Sequence, residues 1–81
     1  MRISVIGTGY VGIVSGACFA ETGHHCVCVD VDRAKVDRIN AGLAPIHENG
    51  LDEILKRHVG TRLTATTDLA KAVHETEITF I

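Results

Sequence analysis

Short apolar runs alternate along this chain with stretches whose apolar residues recur every three or four positions, a pattern that predicts strands and helices in regular succession. Ile3, Val5 and Ile6 make the first run and read as a short buried strand of the parallel-sheet kind. Residues 10–22 have helical spacing, with Val11, Val14, Cys18 and Ala17 on one apolar face. Gly23 suits the helix end, and His24 and His25 occupy the turn. Cys26 to Asp30 predicts the second strand, joined to the first by a right-handed crossover. Asp32 can cap a helix over 33–41 that turns Val36 and Ile39 inward and ends at Asn40-Ala41-Gly42. A loop follows, with the only proline, Pro45, and the turn signal Asn49-Gly50. Leu51, Ile54, Leu55 and His58 then fall at i, i+3, i+4 and i+7 and predict a third helix, with Asp52 and Glu53 at its start and Lys56 and Arg57 near its end, as its dipole favours. Arg62 to Thr66 predicts a third strand. Thr67 or Asp68 caps a short helix carrying Leu69 and Val73, and Glu77 to Ile81 begins a fourth strand.

The order β-α-β-α-α-β-α-β predicts an α/β fold, a doubly wound parallel sheet of the Rossmann-like kind with strands in order 3-2-1-4. Four strands are fewer than the six or so of the complete fold. Residues 1–81 are therefore expected to form the N-terminal part of a larger dinucleotide-binding domain, with the protein's remaining domains absent. A net charge of −2 with no Lys/Arg stripe argues against a nucleic-acid partner. No apolar run approaches the ~18 residues of a membrane span, and Gly7 and Gly9 interrupt what a signal peptide would keep apolar. A cytoplasmic setting is expected, and three cysteines, an odd number at apolar-patterned positions, fit it.

The candidate chemistry lies where the first strand meets the first helix. Gly7-Thr8-Gly9-Tyr10-Val11-Gly12 is a Gly-x-Gly-x-x-Gly turn between strand and helix, and Asp30 ends the next strand about 20 residues on. Gly7 permits the tight turn, Gly9 lets the backbone approach a pyrophosphate, and Gly12 lets the helix pack near the sheet. The backbone N–H groups of Tyr10 and Val11 face the phosphates at the positive end of the helix dipole. Asp30 can accept hydrogen bonds from ribose hydroxyls, and its charge disfavours a 2′-phosphate, so NAD is expected rather than NADP. The bland reading makes Asp30 a strand-end carboxylate that caps the next turn. An FAD-binding flavoprotein shares this fingerprint, and a module that senses the cofactor without chemistry is a further alternative.

Other polar residues carry less. His24, His25, His47, His58 and His74 lack ligand spacing, so surface or capping roles are expected and no metal is assigned. Cys26 and Cys28 alternate along a strand, which points both thiols into the core, and no redox role follows. Thr66 and Thr67 could approach the cofactor, but helix capping is favoured.

Met1-Arg2-Ile3-Ser4-Val5-Ile6-Gly7-Thr8-Gly9-Tyr10-Val11-Gly12, Gly23-His24 and Val29-Asp30-Val31-Asp32 together resemble the UDP-glucose 6-dehydrogenase family and its GDP-mannose relatives. Lys35-Val36, Ile39-Asn40-Ala41-Gly42, Pro45-Ile46, Glu48, Gly50-Leu51 and Thr66-Thr67-Asp68 extend the likeness over the whole length. Gly16-Ala17-Cys18 and Thr8-Gly9-Tyr10 look more like the UDP-glucose branch. The resemblance implies the NAD-binding portion of an oxidoreductase that converts UDP-glucose to UDP-glucuronate in two hydride-transfer steps, in nucleotide-sugar metabolism and polysaccharide biosynthesis. It implies a homodimer, with a cysteine nucleophile and its lysine, asparagine and aspartate partners downstream, so no catalytic residue is expected here. It also places Lys35 at the adenosine side of the cofactor; otherwise a helical lysine is a solvated charge. Glu48 touches substrate in the intact enzyme or is a loop carboxylate, and both readings stay open. Asn49 departs from the family's usual proline, and is expected to cap the following helix.

Overall fold

The computed structural model describes residues 1–45 and 48–81; Ile46 of the loop pattern and His47, one of the five histidines, lie outside the described residues. Among the described residues, β1 (Arg2–Ile6), β2 (His25–Val29), β3 (Leu63–Thr66) and β4 (Ile78–Phe80) form one parallel sheet in the order β3-β2-β1-β4. Helices α1 (Tyr10–Glu21), α2 (Arg33–Asn40), α3 (Leu51–His58) and α4 (Leu69–Glu75) connect them. The expected order of elements and strands is the observed one, with ends shifted by a residue or so. No helix of the described residues is long and apolar enough to cross a membrane.

Period-two alternation decides which face is core. Ile3 and Val5 of β1, Cys26 and Cys28 of β2, and Leu63 and Ala65 of β3 share one face with buried residues of α1, α2 and α3. Val36 and Ile39 are buried on α2, and Leu51 and Leu55 on α3, as their spacing predicts. The opposite face carries Ser4, Val27, Thr64 and Thr66. There α4 seats Ala72, and Thr76 hydrogen bonds Ser4, which in turn meets Thr79 at 2.8 Å. Leu69 and Val73 stay largely exposed on α4.

The expected face of α1 is corrected in part: Ala17 is buried and Val14 packs against the core, but the other two positions do neither. Val11 is 76% exposed and Cys18 is exposed, while the buried side is Ile13, Gly16, Ala17 and Ala20. Those four keep the i, i+3, i+4, i+7 spacing, but three are small, so the face has little apolar signal. Its smallness is the device that brings α1 onto β2. A Cβ on Gly16 would lie 2.9 Å from the Cys28 sulfur and 3.3 Å from that of Cys26. Both thiols are buried, as expected; the hydrogen bond to Cys26, with burial, raises the Cys28 thiol well above its usual value and keeps it protonated.

His58 also departs from the expected surface or capping role. It is buried at the end of α3, with Nε2 2.6 Å from Glu21 Oε2 at the end of α1, while Arg57 bonds the other oxygen. That hydrogen bond to His58, with the Arg57 charge, holds the Glu21 carboxyl below its usual value. Asn49 caps nothing: Gly50, at φ 82°, is the N-cap of α3, with no side-chain hydrogen bond to its amides. On the outer edge of β3, Asn40 imitates a missing strand. Its Nδ2 donates to the Ala65 carbonyl and its Oδ1 accepts from the Ala65 N–H, both at 2.9 Å, which closes an edge that would otherwise offer itself for pairing.

Candidate functional site

Ligands of open α/β sheets sit outside the carboxyl ends of the strands where the strand order reverses, which here is between β1 and β4. A cavity of about 300 Å³ lies there, lined by the glycine turn, Tyr10, Val11, Ser15 and the β4 residue Phe80. The turn leaves β1 at Gly7, whose φ of 95° is open to glycine and costly for other residues, and the Gly7 N–H is anchored 2.7 Å from the Val29 carbonyl. A Cβ on Gly12 would collide with the Gly7 carbonyl oxygen. Two of the three glycines are therefore demanded by the fold itself.

Gly9 is different. Its φ of −67° suits any residue, and a Cβ there would meet nothing within 4 Å. Neither conformation nor packing among the described residues requires glycine at this position, and its lack of a side chain leaves an open notch. Gly9 is also the N-cap of α1, which has no side-chain cap and no acid in its first turn. The first intrahelical donor is Ile13, bonded to the Gly9 carbonyl at 3.0 Å. The amides of Tyr10, Val11 and Gly12 thus present uncapped donors and the positive helix end to one patch of cavity. Val11 was expected in the core as well as the loop; its exposed side chain lines the cavity instead.

Asp30 stands immediately after β2, beside the turn, because Ile6 pairs with Val29 in the parallel register. Three donors hold its carboxylate. Oδ2 accepts from the Thr8 N–H at 2.9 Å and the Thr8 hydroxyl at 2.6 Å, and Oδ1 accepts from the Asp32 N–H at 2.8 Å. The Thr8 hydroxyl and the Asp32 amide bring its pKa down to about 2 against the opposing effect of burial, with the Lys35 charge a lesser contribution. The group is anionic at any physiological pH, and Oδ1 retains acceptor capacity for an incoming hydroxyl.

Of the residues singled out in the sequence, Gly7, Gly9, Tyr10, Val11 and Gly12 border one cavity, and Asp30 and Lys35 flank the adjoining strand end. Thr8 is buried, and both of its donors are spent on Asp30. Sequence reasoning missed that bond, although a hydroxyl between the two glycines facing an acid at the next strand's end is a legible signal. Asp68 caps α4 through the Lys71 amide, while the Thr66 hydroxyl accepts from the Asp68 N–H, so of the expected caps it is Asp68 that serves the helix and not Thr66 or Thr67. Glu48 lies with Asn49 and Tyr10 in a second cavity of about 200 Å³ between α1 and α3. Hydrogen bonding to Glu48, and that carboxylate's charge, push the Tyr10 phenol up.

Uncapped amides, an open notch at Gly9 and a fixed carboxylate fit a diphosphate linked to a ribose. Comparison with known proteins agrees. A family model described as the NAD-binding domain of the UDP-glucose/GDP-mannose dehydrogenase family matches residues 1–81. A UDP-glucose 6-dehydrogenase of Haloferax volcanii is 51% identical over 81 residues, covering 100% of this chain and 19% of the relative. A GDP-mannose 6-dehydrogenase of Pseudomonas syringae is 45% identical over 82 residues, with 100% and 19% covered. The crystal structure of a GDP-mannose dehydrogenase from Pseudomonas aeruginosa superposes with a TM-score of 0.97 at 46% identity, covering 100% of this chain and 19% of that one. The chain thus spans about a fifth of the length of the relatives it matches. The match to an NAD-binding domain sets the flavoprotein alternative aside.

Proposed function

The chain belongs to the UDP-glucose/GDP-mannose dehydrogenase family, within its NAD-binding domain, and from that premise we propose how its residues serve the cofactor. The amides of Tyr10, Val11 and Gly12 hold the pyrophosphate, Gly9 leaves it room, and Gly7 shapes the turn that aims them. Asp30 accepts from the adenosine ribose, and Lys35 lies on the adenosine side. NAD, when bound, supplies the hydride acceptor. These residues would hold its adenosine half and diphosphate at the carboxyl ends of β1 and β2. Thr8 serves the site through Asp30. The observation that carries this reading is the uncapped α1 terminus with its open Gly9 notch, set beside a carboxylate already fixed in place.

In the full-length protein, the substrate proposed is UDP-glucose, oxidised to UDP-glucuronate in two hydride transfers by residues beyond position 81, within a cytoplasmic homodimer. The identity to the Haloferax volcanii enzyme supports that branch. GDP-mannose is a second reading, favoured by the likeness to the Pseudomonas aeruginosa structure. Supplying full-length protein and NAD with each nucleotide sugar separates them: UDP-glucose is expected to yield two NADH per molecule and GDP-mannose none. The reverse result establishes the second reading, and no turnover of either favours a sensing module. For the site itself, Asp30→Ala should weaken NAD binding by about 1–3 kcal/mol in calorimetric titration of the full-length protein, the scale of lost charge-assisted hydrogen bonds. Unchanged affinity removes Asp30 from the site.

A further inference from the structure

Resting on the reading that Asp30 takes the adenosine ribose, we propose that Thr8 is a positioning residue that sets the preference for a free ribose 2′-hydroxyl over a 2′-phosphate by locking the Asp30 carboxylate in one orientation. An aspartate alone is a weak barrier to phosphate. Its side chain has two rotatable bonds, and an unheld carboxylate swings away from an incoming anion and relaxes most of the repulsion. Around this site such a swing would leave cations facing the ligand. Lys35 is within electrostatic reach of Asp30, and Arg33 at the start of α2 is exposed, its guanidinium paired among the described residues with the exposed Asp37. The remaining charged neighbour, Asp32, is committed to capping α2 through the amides of Ala34 and Lys35.

The structure denies Asp30 that freedom. Oδ1 is tied to the Asp32 N–H in a local turn, and Oδ2 takes two donors from one fully buried residue. The amide of Thr8 comes with any residue at that position. Its hydroxyl does not, and at 2.6 Å it is the shortest of the three bonds. Thr8 is buried, so this hydroxyl is shielded from water and held on the carboxylate. The same lock pre-organises the acceptor for a ribose hydroxyl, which lowers the ordering cost of binding.

The test is calorimetric titration of the full-length protein with NAD and NADP, comparing wild type, Thr8→Val, Thr8→Ser, Asp30→Ala and the Thr8→Val/Asp30→Ala pair. Thr8→Val keeps the shape and removes the hydroxyl; it should raise the NAD Kd about 10-fold and leave NADP unchanged or tighter, so that the preference shrinks by at least about 10-fold. Thr8→Ser restores the donor and should keep both affinities within about 2-fold of wild type, and Thr8→Val should add no more than about 2-fold once Asp30 is gone. If Thr8→Val misfolds, Thr8→Ala against Thr8→Ser poses the same question. The proposal is overturned if the hydroxyl-free variants keep the NAD/NADP ratio while Asp30→Ala weakens NAD, or if Ser behaves like Val. If Asp30→Ala leaves NAD binding unchanged, it is the underlying reading that fails.

Discussion

Two helices of this chain leave successive strands of one sheet, and their first turns are built in opposite ways. At α2, Asp32 turns its own carboxylate onto the amides of Ala34 and Lys35, and the helix start is complete within the chain. At α1, Gly9 offers no side chain, the first turn contains no acid, and the amides face a cavity. Several other places follow α2: Asp68 caps α4, Asn40 satisfies the edge of β3, and Glu21 takes both Arg57 and His58. Helix α3 also starts on a glycine without a side-chain cap, but it carries Asp52 and Glu53 in its first turn, whereas the first turn of α1 has neither cap nor acid and borders the cavity. Function is visible here as a departure from self-sufficiency.

That contrast can be broken most forcefully at Gly12. Gly12→Val drives a side chain into the Gly7 carbonyl, and should cost about 3 kcal/mol or more of stability together with NAD binding, read by thermal denaturation and titration of the full-length protein. Gly9→Ser separates what Gly12→Val confounds. Serine is a good N-cap and its Cβ meets nothing, so melting should be unchanged or slightly improved while NAD affinity falls roughly 100-fold, because the added atoms fill the space of the phosphate. Equal binding by Gly9→Ser would mean the notch has no occupant. Asp32→Ala is the mirror experiment at α2: about 1 kcal/mol of stability lost, with NAD affinity nearly unaltered. The smallest effect is in acid. The Asp30 pKa is lowered from 3.8 to about 2, so its contribution to stability is complete above the higher value and is lost as pH falls through the lower. Melting temperatures between those pH values should therefore drop more steeply for wild type than for Asp30→Asn.

Much of this architecture was legible because it rests on signals of short range. Glycines at a strand-to-helix turn, an acid at the next strand's end, Asp32 before a helix, and the spacing of Leu51, Leu55 and His58 each name their own element. What escaped has a common cause in contacts between distant residues. The buried side of α1 is Ile13, Gly16, Ala17 and Ala20, three of them small, and Gly16 is there for closeness to the Cys26 and Cys28 sulfurs rather than for hydrophobicity, so counting apolar residues set the face too far round, at Val11 and Cys18. His58 was seen on the right helical face, but its partner Glu21 lies 37 residues earlier. The expected cap at Asn49 failed because Gly50, in the left-handed region, already occupies the cap position. The donors of Thr8 sat in the middle of the most legible motif and were still missed, since their acceptor is 22 residues away.

The most direct measurement is a crystal structure of the full-length protein grown with NAD. The account predicts the diphosphate within hydrogen-bond distance of the Tyr10 and Val11 amides, packed over Gly9, with a ribose hydroxyl on the free side of Asp30 Oδ1. Coenzyme density anywhere else, with the Gly9 notch filled only by water, would contradict it.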